Sequence, residues 1–143
     1  MIPVDPEPEG PTVIADAGLP LSAFSFPHPP NGSRQNLGFM LTIGSITLFH
    51  PGDLDSAMAT ELFEAHDLAA GNIDLAFLPS FMFSDTGLVG SITRLGAMCL
   101  VPTHVRPLDL ARTCRQATIL LTNVLCFQQL GEEMEYTADT VCQ

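Results

Sequence analysis

Three apolar runs of β type each lead into a proline and an ionisable side chain, and that restricts what this chain can fold into. They are Phe24-Ser25-Phe26-Pro27-His28, then Ser45-Ile46-Thr47-Leu48-Phe49 with its turn His50-Pro51-Gly52-Asp53, and Leu100-Val101-Pro102-Thr103-His104. Strands are rigid enough to aim the groups at their ends, and the loops that follow leave the mouth open. His28, Asp53 and His104 are residue types that bind a transition metal. Strands that end together therefore predict a polar cluster at one sheet edge.

The rest of the chain fits such a sheet. Residues 1–11 read as a flexible leader, because prolines at 3, 6, 8 and 11 block both helix and sheet. Thr12–Ala15 and Leu21–Phe26 alternate as short strands, and Pro27–Arg34 is a loop. Leu37–Ile43, the turn Gly44-Ser45 and Ile46–Phe49 form a hairpin pattern. Ser56–Ala69 has helical period, with Asp55 or Ser56 as N-cap and Gly71 as stop. Ile73–Leu78 is a near-continuous apolar strand closed by Pro79. Asp85–Leu95 reads as a weaker helix, Ala97–Val101 as a buried strand, and Pro107 or Asp109 opens a helix to about Leu121. Val124–Phe127 and Gly131–Tyr136 read as further strands, the last at an edge. Strands first, then alternating helix and strand, predict an α/β mixed sheet with helices on at least one face.

Charge excludes several classes of function. The chain has 143 residues and a net charge of −11, with five arginines and no lysine. Nucleic-acid binding needs a basic surface, and so does an anionic membrane. The N-terminus lacks the basic start and apolar core of a signal peptide, and Ala117–Phe127 is too short to span a bilayer, so a cytoplasmic location is expected. Cys99, Cys114, Cys126 and Cys142 form no CxxC pair and lie mostly in apolar segments, which favours buried reduced thiols over disulfides.

Taken in order, Phe26-Pro27-His28, Asn36-Leu37-Gly38-Phe39, Leu48-Phe49-His50-Pro51-Gly52-Asp53, Asn72-Ile73-Asp74-Leu75-Ala76-Phe77-Leu78-Pro79 and Val101-Pro102-Thr103-His104 resemble strand-end signatures of the metallo-β-lactamase superfamily. The resemblance is to the C-terminal half of that αββα sandwich and covers roughly residues 12–136, so residues 12–143 are expected to be one half-domain with helices on one face. It implies that His28 completes a first metal site, that Asp53 bridges two metals as the catalytic carboxylate, and that His104 serves the second. The implied cofactor is a divalent metal, zinc first and manganese or iron next. The implied activity is metal-dependent hydrolysis of an ester, amide, lactone or phosphoester in a small-molecule substrate. The superfamily's HxHxDH motif is absent, since no two of His28, His50, His66 and His104 are separated by a single residue. A half-sandwich is also expected to pair its open sheet face with a second copy or a complementary half-domain. The alternative is a non-catalytic structural or assembly domain.

Each residue also has a plainer reading. Asp53 can cap the helix that follows it, His104 can bond to backbone, and His28 can be an exposed loop histidine. His50 is read as orienting the turn more often than ligating, and His66 with Asp67 as a solvated pair. Asp74 is read as structural. Arg106, two residues past His104, is the arginine that would bind an anionic substrate.

Overall fold

The computed structural model describes residues 11–14, 18–27, 35–54, 56–127, 129, 131–137, 140 and 142. Its backbone is organised by a hairpin. Strand β3 (Gln35–Ile43) returns as β4 (Ile46–His50), with Ile43 opposite Ile46 and Phe39 opposite His50. The turn needs a left-handed residue, and Gly44 supplies it at φ +63°. Before the hairpin come β1 (Thr12–Val13) and β2 (Leu21–Pro27), both antiparallel to their neighbours. After it come β5 (Leu75–Pro79) and β6 (Cys99–Thr103), both parallel to theirs. The sheet runs in the order β1-β2-β3-β4-β5-β6. It is mixed because a tight turn can join antiparallel strands, whereas parallel strands need a crossover. The crossovers carry α1 (Ala59–Ala65) and α2 (Val89–Arg94), and α3 (Leu110–Leu120) follows β6.

Strand alternation then sorts the side chains. Phe24, Phe26, Phe49, Ala76, Leu78 and Leu100 share one face, where they form a single core with Phe63 of α1, Ile92 of α2 and Ala117 of α3. A fully buried phenylalanine such as Phe49 contributes about 1.5–3 kcal/mol of transfer free energy. The helices therefore lie on one face, as the pattern predicts. On the opposite face Leu75, Cys99 and Val101 are buried beneath Leu125, Phe127, Tyr136 and Cys142 of the C-terminal segment. At the hairpin end of this face Ile43 is 49% exposed.

Several expectations are corrected. The helix expected over Ser56–Ala69 is broken. A 3-10 turn at Ser56–Met58 precedes α1, and a second follows at Leu68–Gly71 after Asp67 turns left-handed at φ +46°. Met58 takes the N-cap position of α1, without a side-chain cap bond, and position 55 lies outside the described residues. The expected strand Val124–Phe127 reduces to one parallel bridge from Val124 to Leu100, and Gly131–Tyr136 is not a strand. The leader, apart from Pro11, lies outside the described residues. The cysteines are paired rather than reduced, Cys99 with Cys142 and Cys114 with Cys126, at Cα separations of 5.6 and 5.7 Å. Spacing along the chain could not show this, because both pairs form where the C-terminal segment folds back against β6 and α3.

His66 is another correction. It ends α1, with its ring edge-on to Phe24 and Phe26 at centroid distances of 5.4 and 5.3 Å. Its Nδ1 is buried and has no hydrogen-bond partner among the described residues. Burial pushes its pKa below 6.5, and a backbone hydrogen bond with Ser25 opposes that shift only in part. A histidine held neutral in the fold takes up its proton first in the unfolded chain, so its stabilising contribution is complete above pH 6.5 and is lost as pH falls below it. Urea unfolding at pH 7.5 and 5.5 should therefore show lower stability at the acid value, and His66→Leu should flatten the difference.

Candidate functional site

Strands β4, β5 and β6 run parallel, so their carboxyl ends lie along one edge of the sheet, the usual place for a site in such sheets. At the end of β4 the chain must turn sharply to present Asp53. Gly52 makes the turn at φ +69°, and a Cβ there would collide with Asn36 Oδ1 and the Leu37 carbonyl oxygen. Asn36, buried on β3, holds the turn from both sides. Its Nδ2 donates to the Pro51 carbonyl at 2.7 Å, and its Oδ1 accepts the Asp53 N–H at 2.8 Å. The Gly52 N–H donates to His50 Nδ1 at 2.8 Å, which leaves the proton of a neutral His50 on Nε2. Burial, and then the neighbouring His104, lower the His50 pKa. His50 thus orients the turn.

The end of β6 supplies the second group. His104 stands in the left-handed region at φ +54°, a conformation that costs a side-chain-bearing residue about 1 kcal/mol or more. The Ser80 hydroxyl, just past the end of β5, donates to its carbonyl at 3.3 Å. In this posture His104 Nδ1 comes 4.0 Å from Asp53 Oδ1, with both side chains half-exposed, and its ring centroid is 6.3 Å from that of His50. A carboxylate and an imidazole distant in sequence therefore meet at the sheet edge, open to solvent.

The third expected ligand, His28, lies outside the described residues. Among the described residues no group of three or more His, Cys, Asp or Glu side chains is arranged to hold a metal ion. Asp53 and His104 have the right donor chemistry and face each other, so they fit part of a divalent-metal site. A tightly held zinc takes at least three protein ligands. Asp74 is structural, as expected, with its Oδ2 accepting the Thr47 N–H at 2.7 Å. The residue whose role the sequence hides is Asn36. Its one visible signal is an amide at the start of an apolar strand, where a buried polar side chain must find partners.

No family model and no curated protein matches this sequence. Solved structures do. Igni18, a metallo hydrolase from Ignicoccus hospitalis, superposes with a TM-score of 0.57 at 18% identity, over 95% of this chain and 61% of its own. A member of the metallo-β-lactamase superfamily from Thermotoga maritima superposes with a TM-score of 0.49 at 18% identity, over 78% of this chain and 56% of its own. The chain thus spans about three fifths of the length of the structures it matches. Among the described residues no helix is long and apolar enough to cross a membrane. Over the part that it spans, this chain shares the fold of Igni18, a mixed α/β sheet whose carboxyl edge gathers Asp53 and His104.

Proposed function

We propose that this chain carries the strand-end metal site of a metal-dependent hydrolase acting on an ester, amide, lactone or phosphoester. The observation that supports this reading is the approach of Asp53 to His104 at 4.0 Å, held by a buried clamp on one side and a left-handed backbone on the other. Strained or clamped positions that converge on exposed polar groups favour function over packing. Asp53 and His104 would hold the cation, zinc first and manganese or iron next, with His28 as third ligand. A divalent cation bound there would supply a water acidic enough to act as a nucleophile near neutral pH. His50 and Asn36 act by position, fixing the turn from which Asp53 projects.

Equilibrium dialysis of the full chain against zinc tests this. The wild type should bind the metal saturably, and Asp53→Ala should weaken uptake at least tenfold. The variant should leave the urea midpoint nearly unchanged, because Asp53 is half-exposed and the clamp uses its backbone N–H. No saturable binding by the wild type would overturn the reading. It would favour the second one, a non-catalytic assembly domain pairing with a second copy or a complementary half-domain. One observation speaks for that alternative, namely that Ile43, on the second sheet face at the hairpin, is half-exposed.

A further inference from the structure

An open cleft of about 370 Å³ lies beside His104, between the 3-10 turn Ser80–Phe83 and the start of α3. Asp53 is not among the residues that line it; Ser80, Ser84, His104, Arg106, Arg112 and Gln116 are. We propose that this cleft binds the phosphate group of a small phosphorylated substrate, with Arg106 and Arg112 as its grips. The proposal rests on the hydrolase reading for its substrate, but not for the binding itself.

Charge is the first argument. This chain has a net charge of −11 and only five cationic side chains, yet two of the five line this one cleft. An anion repelled by the molecule as a whole would find a local cationic field only where such groups are concentrated.

Geometry is the second. Asp109 brackets the two guanidinium groups. Arg106 donates through Nε and Nη2 to Oδ2, both at 2.6 Å, and Arg112 donates through Nη2 to Oδ1 at 2.7 Å. One carboxylate does not neutralise two cations, and each fork of five donors keeps several beyond those given to Asp109. Asp109 also lines the cleft but is largely buried while both arginine side chains are mostly exposed, and its bonds to Nε and Nη2 of Arg106 and to Nη2 of Arg112 leave Nη1 of both guanidinium groups outside the bracket.

The chemistry of the donors decides the ligand. The Ser84 hydroxyl is committed to the Phe81 carbonyl at 2.8 Å and that of Ser80 to the His104 carbonyl, so the charged donors of the lining are the two arginines, with the Gln116 amide, the Thr113 hydroxyl and the His104 ring beside them. One bidentate fork satisfies a carboxylate. Two forks suit a group with three terminal oxygens and more than one negative charge. Because His104 lines the same cleft, a phosphate gripped there would place the rest of its molecule beside the Asp53–His104 pair.

Titration calorimetry of the metal-free full chain with inorganic phosphate tests the proposal, with acetate at equal ionic strength as comparison. Saturable phosphate binding is expected, weakened at least fivefold by Arg106→Gln and by Arg112→Gln and unchanged by Asp53→Ala. The last variant separates this site from the metal site, since the hydrolase reading can fail while phosphate still binds. Absence of saturable phosphate binding would overturn the proposal. Binding indifferent to both arginine variants, or acetate bound as tightly as phosphate, would overturn it as well. The arginine variants should keep the wild-type unfolding midpoint, because each leaves Asp109 one cationic partner.

Discussion

Cys142→Ser should lower the free energy of unfolding by about 4 kcal/mol under oxidising conditions, the value expected when a cross-link between residues 43 apart is lost. Cys126→Ser should lower it by about 3 kcal/mol, because its link to Cys114 closes a loop of only 12 residues. For a single domain with total stability of roughly 5–15 kcal/mol, either loss is large. The first also has a local consequence. The segment that Cys142 anchors covers Leu75, Cys99 and Val101, and it carries Tyr136, the chain's one tyrosine. Burial, and then the Asp74 carboxylate, hold the Tyr136 phenol above its usual pKa of 10.0. Releasing the anchor should bring that phenol back toward 10.0, which phenolate absorbance reads directly, while urea unfolding reads the stability. Wild-type protein in reductant, which opens both pairs, should show the same shift of the phenol and a larger loss of stability. Identical unfolding with and without reductant would show that the pairs do not support the fold.

The strands were legible because their boundaries are written in residues with special backbones. Gly44 marks the hairpin, Pro79 closes β5, and the alternation through Phe24, Phe26 and Phe49 gives the face that meets the helices. What the sequence hid depends on contacts across the fold. Period cannot show that Asp67 turns left-handed and ends a helix whose apolar spacing continues past it. Nor can it show that the C-terminal segment crosses the second face as irregular chain rather than as an edge strand. The cysteine pairs follow from that crossing. In the candidate site, Asp53 and His104 were legible as strand-end groups, and the structure brings them together. The clamp was not legible, because Asn36 acts on a turn that is remote from it in sequence and adjacent only once β3 and β4 have paired.

That clamp sets the other large effect. Asn36→Ala removes a donor from the buried Pro51 carbonyl and an acceptor from the part-buried Asp53 N–H. Each unsatisfied group costs about 1–3 kcal/mol, so a loss of about 2–4 kcal/mol in urea unfolding is expected. The effect on the proposed metal binding should exceed the effect on stability. Asp53 would then project from a turn free to rotate, and loss of position by even a fraction of an ångström is severe for a metal ligand. Zinc uptake should fall at least tenfold even under conditions where the variant is fully folded. Gly52→Ala attacks the same turn differently, by placing a Cβ against Asn36 Oδ1 at positive φ, and should lose metal to a similar degree. Asn36→Asp tests the two halves of the clamp apart. It keeps the acceptor for Asp53 N–H but loses the donor to Pro51 and buries a charge, so it should be less stable than wild type yet retain more metal affinity than Asn36→Ala. Phosphate binding in the neighbouring cleft should survive in all three, since none of its arginines leans on this turn. Asn36→Ala with wild-type zinc affinity would mean that Asp53 is positioned by something other than the clamp.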